Sequence, residues 1–155
     1  MKRDGKFSIA LHILAHLAEA GGQPTTSEGL AAHLRTNPVV VRRSLAGLRE
    51  AGVVASAKGH GGGWTLGRPA AAISLGEVYA VLGERGDLLA VPAPDPQGCL
   101  IAQAVDQALD GVYAEAEALL LRRLAAVSLA DITADFSRHY AEWVAQGRPF
   151  AVPDS

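Results

Sequence analysis

Residues 25–66 read TTSEGLAAHLRTNPVVVRRSLAGLREAGVVASAKGHGGGWTL. The order is two short helices joined by a tight turn, then a two-stranded hairpin tipped by Lys58-Gly59-His60-Gly61-Gly62-Gly63-Trp64. Helix, turn, helix and glycine-tipped hairpin is how a winged helix-turn-helix is written in a chain. It points to double-stranded DNA as the partner.

The second helix of that unit carries most of the information. Asn37 caps well, and Pro38 at the first helical position sacrifices no hydrogen bond. Val41, Leu45 and Leu48 recur at i, i+4, i+7 and form the inward face. At about 100° per residue, Val39, Arg43, Ala46 and Glu50 fall opposite, with Arg42 and Arg49 on a flank. Val39 and Arg43 thus project near the end of a recognition helix that reaches base edges. The two-donor fork of Arg43 suits guanine, whereas Arg42 and Arg49 are better placed for phosphates. The ordinary alternative is an amphipathic helix with solvated arginines, and the adjoining wing weighs against it.

For the wing, Val53–Lys58 and Trp64–Leu66 are expected strands, and four glycines in five positions between them permit a turn that approaches another backbone closely. A nucleotide-cradling loop needs a helix after its glycines, and Trp64-Thr65-Leu66-Gly67-Arg68-Pro69 cannot open one. Upstream, a helix from about residue 4 to 20 has Phe7, Ala10, Leu11, Leu14, Leu17 and Ala18 as its buried stripe and ends at Gly21-Gly22. Thr25 or Thr26 caps the next helix, with Glu28 three residues after Thr25 as a capping-box partner and Leu30, Ala31 and Leu34 facing the core.

Charge is distributed unevenly. The whole chain is near balance, with 14 Lys+Arg and 16 Asp+Glu. Residues 1–69 hold nine basic side chains (Lys2, Arg3, Lys6, Arg35, Arg42, Arg43, Arg49, Lys58, Arg68) against four acidic ones, and the remainder is strongly acidic. The basic half is suited to a phosphate backbone, which would repel the acidic half. Apolar residues make up 49% of the 155, enough for one domain's core, with Leu, Val and Ala supplying it. One cysteine excludes an internal disulfide and fits a reducing cytoplasm. The N-terminal apolar stretch is broken by Ser8, His12 and His16, so it reads as a core helix rather than a signal peptide, and no segment is long enough for a membrane span.

Beyond Pro69, Ser74 caps a helix with Glu77 at the capping-box position and Val78, Val81 and Leu82 inward. Residues 83–98 include three prolines and read as a linker. From Cys99 a helix resumes in which Val105, Leu109, Val112, Ala116 and Leu119 follow a four-three-four-three spacing, the seam of two helices packed along their length. Such a stripe is either core or interface, and a DNA reader gains a defined site by dimerising, which favours the interface. Asp110-Gly111 interrupts the stretch and leaves open one kinked helix or two. A last helix, capped by Ser128 with Asp131, carries Ile132, Phe136, Tyr140 and Trp143 and ends at Gly147-Arg148-Pro149.

Leu48-Arg49-Glu50-Ala51-Gly52-Val53-Val54, the wing Lys58–Leu66, and Ile73-Ser74-Leu75-Gly76-Glu77-Val78 together resemble the Rrf2 family of bacterial winged helix-turn-helix transcription regulators, which includes IscR, NsrR and CymR. Asn37-Pro38-Val39-Val40-Val41-Arg42-Arg43 is similar to its YwnA-like branch. The resemblance covers about residues 5–132. It implies that Arg42 and Arg43 lie on the recognition helix, that Lys58 stands where many members have a wing arginine, that His60 sits at the tip, and that a long C-terminal helix forms most of the dimer. Cluster-bearing members have three closely grouped cysteines in the loop matching about residues 91–105, where this chain has Cys99 alone. An iron–sulfur cluster needs several thiolates, so no cluster is expected.

Two further sites carry side chains with possible chemistry, one a histidine pair and the other the lone cysteine. His12 and His16 are four apart on the first helix, a spacing that lets two imidazoles share a metal, but Ile13 occupies the place of a metalloprotease glutamate, and a solvated or interface role is the stronger reading. Cys99 follows Pro96-Gln97-Gly98 and opens a helix whose positive end favours a reactive thiolate, making it a candidate redox sensor. Against this, a free cysteine beside Leu100 and Ile101 is more often a small core hydrophobe.

The sequence therefore predicts a mainly α protein: a winged helix-turn-helix domain over residues 1–83, a linker or sensor loop over 84–98, and a helical dimerisation region over 99–155. The expected DNA contacts are Thr26, Pro38, Val39, Val40, Arg42, Arg43, Arg49, Lys58, Gly59, His60 and Gly61. The expected function is a cytoplasmic, homodimeric regulator, most readily a repressor, on a pseudo-palindromic operator, with no metal, cofactor or membrane partner. The alternative is a winged-helix module for protein–protein contact. No nucleophile, base and oxyanion arrangement points to an enzyme.

Overall fold

Backbone commitments at a few residues set the arrangement. The computed structural model describes residues 5–59, 61–82 and 99–146. Helix α1 (Gly5–Glu19) buries Ala10, Ile13, Leu14 and Leu17, with Phe7, Leu11 and Ala18 packed at the margin. Ile13 was absent from the expected stripe, yet it is three residues from Ala10 and four from Leu17, on the same face of the helix.

Helix α2 (Ser27–Leu34) is capped by Thr26, whose hydroxyl accepts from the Gly29 N–H at 3.0 Å. The capping box between Thr25 and Glu28 does not form. Thr25 instead exchanges backbone hydrogen bonds of 3.0 and 2.9 Å with Trp64. Helix α3 (Pro38–Glu50) starts where expected: the Asn37 side-chain oxygen accepts from the Val39 N–H at 2.8 Å, and Val41, Leu45 and Leu48 are fully buried.

Strands β1 (Val54–Ala57) and β2 (Gly63–Leu66) pair antiparallel, Val54 opposite Leu66 and Ala57 opposite Gly63. Strand β1 is shorter than expected at both ends. The Val53 N–H closes the end of α3 on the Leu48 carbonyl at 2.9 Å, and its side chain is buried. A Cβ at position 63 would stand 2.8 Å from the Thr25 carbonyl oxygen, so the close backbone approach foreseen for the glycine run occurs at Gly63. The buried Trp64 indole donates to the Ser27 hydroxyl at 3.0 Å, tying the wing to the start of α2.

After a 3₁₀ turn (Ala70–Ala72), helix α4 (Leu75–Val81) is capped by Ser74, which accepts from the Glu77 N–H at 3.1 Å. The Glu77 carboxylate does not close a box; it accepts from the Arg68 guanidinium at the base of the wing. Tyr79, fully buried, meets Phe7 edge to face at 5.4 Å and joins α4 to α1. Helix α5 (Leu100–Ala125) runs unbroken through Asp110-Gly111, a single helix of 26 residues. It packs on α4 near its end, where a Cβ at Gly76 would lie 2.9 Å from the Ala125 nitrogen.

Helix α6 (Leu129–Ala145) opens with a reciprocal cap: Asp131 accepts from the Ser128 N–H at 2.8 Å, and Ser128 accepts from the Asp131 N–H at 3.2 Å. These bonds to Ser128 hold the Asp131 carboxyl below its ordinary pKa. Backbone bonds from Leu75 to Val127 (2.9 Å) and from Leu129 to Ile73 (2.8 Å) fasten the start of α6 beside the start of α4. The buried residues of α1 to α3 and the wing, with Ile73, Val78 and Leu129, form one core cluster. Among the described residues no helix is long and apolar enough to cross a membrane. The expected linker over 83–98, the side chains of Tyr140 and Trp143, and the stop at Gly147-Arg148-Pro149 lie outside the described residues.

Candidate nucleic-acid interface

With one face of α3 sealed by Val41, Leu45 and Leu48, the rest of that helix is presented outward. Val39 is 60% exposed and Val40 37%, and Arg42, Arg43, Ala46, Arg49 and Glu50 are all exposed. Pro38 is half-buried in the first turn, and Thr26 is exposed with its hydroxyl engaged as a cap. Lys58, Gly59 and Gly61 are exposed at the end of the hairpin, while His60 lies outside the described residues. The Trp64 to Ser27 hydrogen bond and the Thr25 pairing hold this hairpin on the same body that positions α3.

One contact on this face was not foreseen. An Arg42 guanidinium nitrogen lies 3.4 Å from a Glu28 carboxylate oxygen, joining the flank of α3 to the first turn of α2. Glu28, expected as a capping-box partner, meets Arg42 instead. Helical periodicity within α2 carries no sign of a residue on another helix.

The candidate interface stripe on α5 is not core within the chain. Val105, Leu109, Val112, Ala116 and Leu119 are all exposed, Val112 at 61%, and Leu100 and Ile101 more so. Cys99 precedes α5 as its exposed cap residue, with no side-chain cap hydrogen bond, so it is not the small core hydrophobe that its neighbours suggested.

Sequence spacing paired His12 with His16, and the structure adds His33 from α2. The rings of His12 and His16 stack at 5.0 Å, and those of His16 and His33 lie 4.9 Å apart. Burial, then the charges of His33 and His12, push His16 below its ordinary pKa. A cavity of about 280 Å³ beside them, between α1 and α6, is lined by Leu11, His12, Ala15, His16, Glu19, Ile132 and Phe136.

Comparison with known proteins decides the lineage. The family model Rrf2, described as an iron-dependent transcriptional regulator, matches residues 3–135. The chain belongs to the Rrf2 family. One relative, YwnA of Bacillus subtilis, described as an HTH-type transcriptional regulator, is 33% identical over 130 residues, which cover 83% of this chain and 95% of YwnA. A crystal structure of a presumed DNA-binding protein is 30% identical with a TM-score of 0.65, covering 83% of this chain and 98% of that one. IscR of T. potens shares the fold at 23% identity and a TM-score of 0.67, covering 87% and 88% of the two chains. The Rrf2 family and YwnA are described as transcriptional regulators, not as enzymes.

The Rrf2 description names iron, and the donor set of this chain does not fit an iron–sulfur cluster. Such clusters take several thiolates, and the sequence has one cysteine. Among the described residues no group of three or more His, Cys, Asp or Glu side chains is arranged to hold a metal ion, the three histidines included.

Proposed function

We propose that this Rrf2-family regulator acts in the cytoplasm as a homodimeric repressor on a pseudo-palindromic operator, without an iron–sulfur cluster. The observation that carries this is α3: its apolar face is sealed against the core while Val39, Arg42, Arg43 and Arg49 are presented outward on the body that also holds the wing. A helix so displayed fits the major groove, with Arg43 on base edges and Lys58, Gly59, His60 and Gly61 against flanking phosphates. Thr26, Pro38 and Val40 complete the contact set near the N-terminal ends of α2 and α3.

Residues 1–83 form the reading domain, 84–98 the connecting loop and 99–155 the dimerisation region. The exposed stripe of α5 supports two copies, since its spacing is that of paired helices. Two copies place two α3 helices on successive half-sites.

The test is selection of bound duplexes from a random pool, followed by affinity against salt concentration. A recovered inverted repeat and a steep salt dependence are expected. Recovery of no motif, with affinity insensitive to salt, would instead leave α3 as a protein-binding face. The exposed Cys99 supports a redox response, tested by operator affinity before and after mild peroxide in the parent and in Cys99→Ser. Unchanged parental affinity, with Cys99 shown by mass spectrometry to be oxidised, removes it as the switch.

A further inference from the structure

Among the ionic contacts on the described surface, the one between Glu28 and Arg42 is out of place for a DNA-reading face. It puts a carboxylate in the first turn of α2, on the side where the preceding helix of a helix-turn-helix crosses the phosphate backbone. It is a single contact at 3.4 Å, with the two side chains 53% and 67% exposed. A pair so open and singly bonded contributes little to folding. Its effect must therefore be sought where a second charged surface arrives.

Arg43 and Arg49 have no ion pair among the described residues, so of the three arginines on α3 only Arg42 is held by an acid on another element. Off the operator, any duplex offers phosphates that a solvated arginine would take. Glu28 competes for that arginine and adds its own negative charge beside the backbone. Sequence-independent binding thus loses one neutralised phosphate. On the operator, base contacts by the rest of α3 hold the groove in place long enough for the pair to be displaced or reoriented.

We propose that Glu28 is a specificity-determining residue that acts through Arg42: it suppresses binding to random DNA more than binding to the operator. This rests on the proposed reading of α3 as the DNA interface. Glu28 is a positioning residue here, since its effect runs through the guanidinium of Arg42.

The experiment measures affinity for the selected operator and for a random duplex across a range of salt, using the full-length parent, Glu28→Gln, Arg42→Gln and the double variant. Glu28→Gln keeps the side chain's size and removes its charge. It is expected to raise random-duplex affinity several-fold at low salt and to steepen the salt slope by about 0.9, the value of one further phosphate neutralised. Operator affinity should change less, so the ratio of the two falls. In the Arg42→Gln background the same substitution should lose most of its effect.

A Glu28→Gln variant whose slope and selectivity match the parent overturns the proposal and leaves the DNA-binding reading standing. A gain that persists undiminished without Arg42 also overturns it, because Glu28 would then act on the backbone directly. If the parent binds neither operator nor random duplex, the reading of α3 fails and takes the proposal with it. Circular dichroism melts of all four proteins, expected to coincide, separate these outcomes from loss of fold.

Discussion

Residues 5–82 and helix α5 solve the problem of apolar surface in opposite ways. The first region folds its own stripes inward: α1, α2, α3, α4 and the wing each bury side chains in one shared core. Helix α5 is 26 residues long and has no buried side chain, while its evenly spaced apolar stripe stays exposed. A helix in water draws most of its stability from packing rather than propensity. The reading unit buries its apolar stripes in a core that it shares with Leu129 of α6, whereas the described residues leave the stripe of α5 uncovered. The two regions should respond differently to the same kind of substitution.

The largest effect on folding is expected in the first region. Leu45→Ala removes a fully buried side chain from the centre of α3 and should lower stability by about 2–5 kcal/mol, read by denaturant melts. Leu119→Asp should do the reverse: light scattering should give monomers and operator affinity should fall about a hundredfold as the second half-site is lost, while the fold of residues 5–82 persists. A monomeric parent would collapse the comparison.

Finer substitutions sharpen it. Arg43→Ala should leave the fold intact and cost about 1–3 kcal/mol on the selected operator, with relaxed base preference, whereas Lys58→Ala should weaken all duplexes evenly and flatten the salt slope. Equal affinity of both variants and the parent would show that α3 does not read bases. Ser128→Ala removes one half of the reciprocal cap that opens α6 and should cost about 1 kcal/mol by thermal melt.

The smallest effect concerns pH. His16 has a lowered pKa in the folded chain, so the unfolded chain binds its proton first as the pH falls. The associated stability is intact above about pH 6.5, declines as the pH drops towards the folded-state value, and is level below that. His16→Gln should flatten this dependence in melts taken between pH 5 and 7. A slope equal to the parent's would assign the effect to other groups.

What could be read from the sequence was local. Asn37-Pro38 specifies a cap, Val41, Leu45 and Leu48 specify a face, and the glycines after Lys58 specify a hairpin, each within a few consecutive residues. What escaped was non-local. The pairing of Thr25 with Trp64, the hydrogen bond from Trp64 to Ser27, the approach of His33 to His16 and the contact between Glu28 and Arg42 join residues on different elements. Periodicity describes the face a helix shows, not the element that meets it. Ile13 is of another kind, since it lies three residues from Ala10 and four from Leu17 and is therefore legible from periodicity alone. The outward residues of α3 were legible because an amphipathic helix differs between its two sides, and that difference is itself periodic.

The backbone pairing at Ser74 and Ser128 has a topological consequence. The chain leaves this point through α4, passes through residues 83–98 and α5, and returns to the same point to begin α6. The excursion is a loop closed at its base by two hydrogen bonds between main-chain atoms, which do not depend on side-chain identity. Side-chain substitutions at Ile73, Leu75, Val127 and Leu129 therefore leave the base of the excursion in register, because the atoms that close it belong to the main chain.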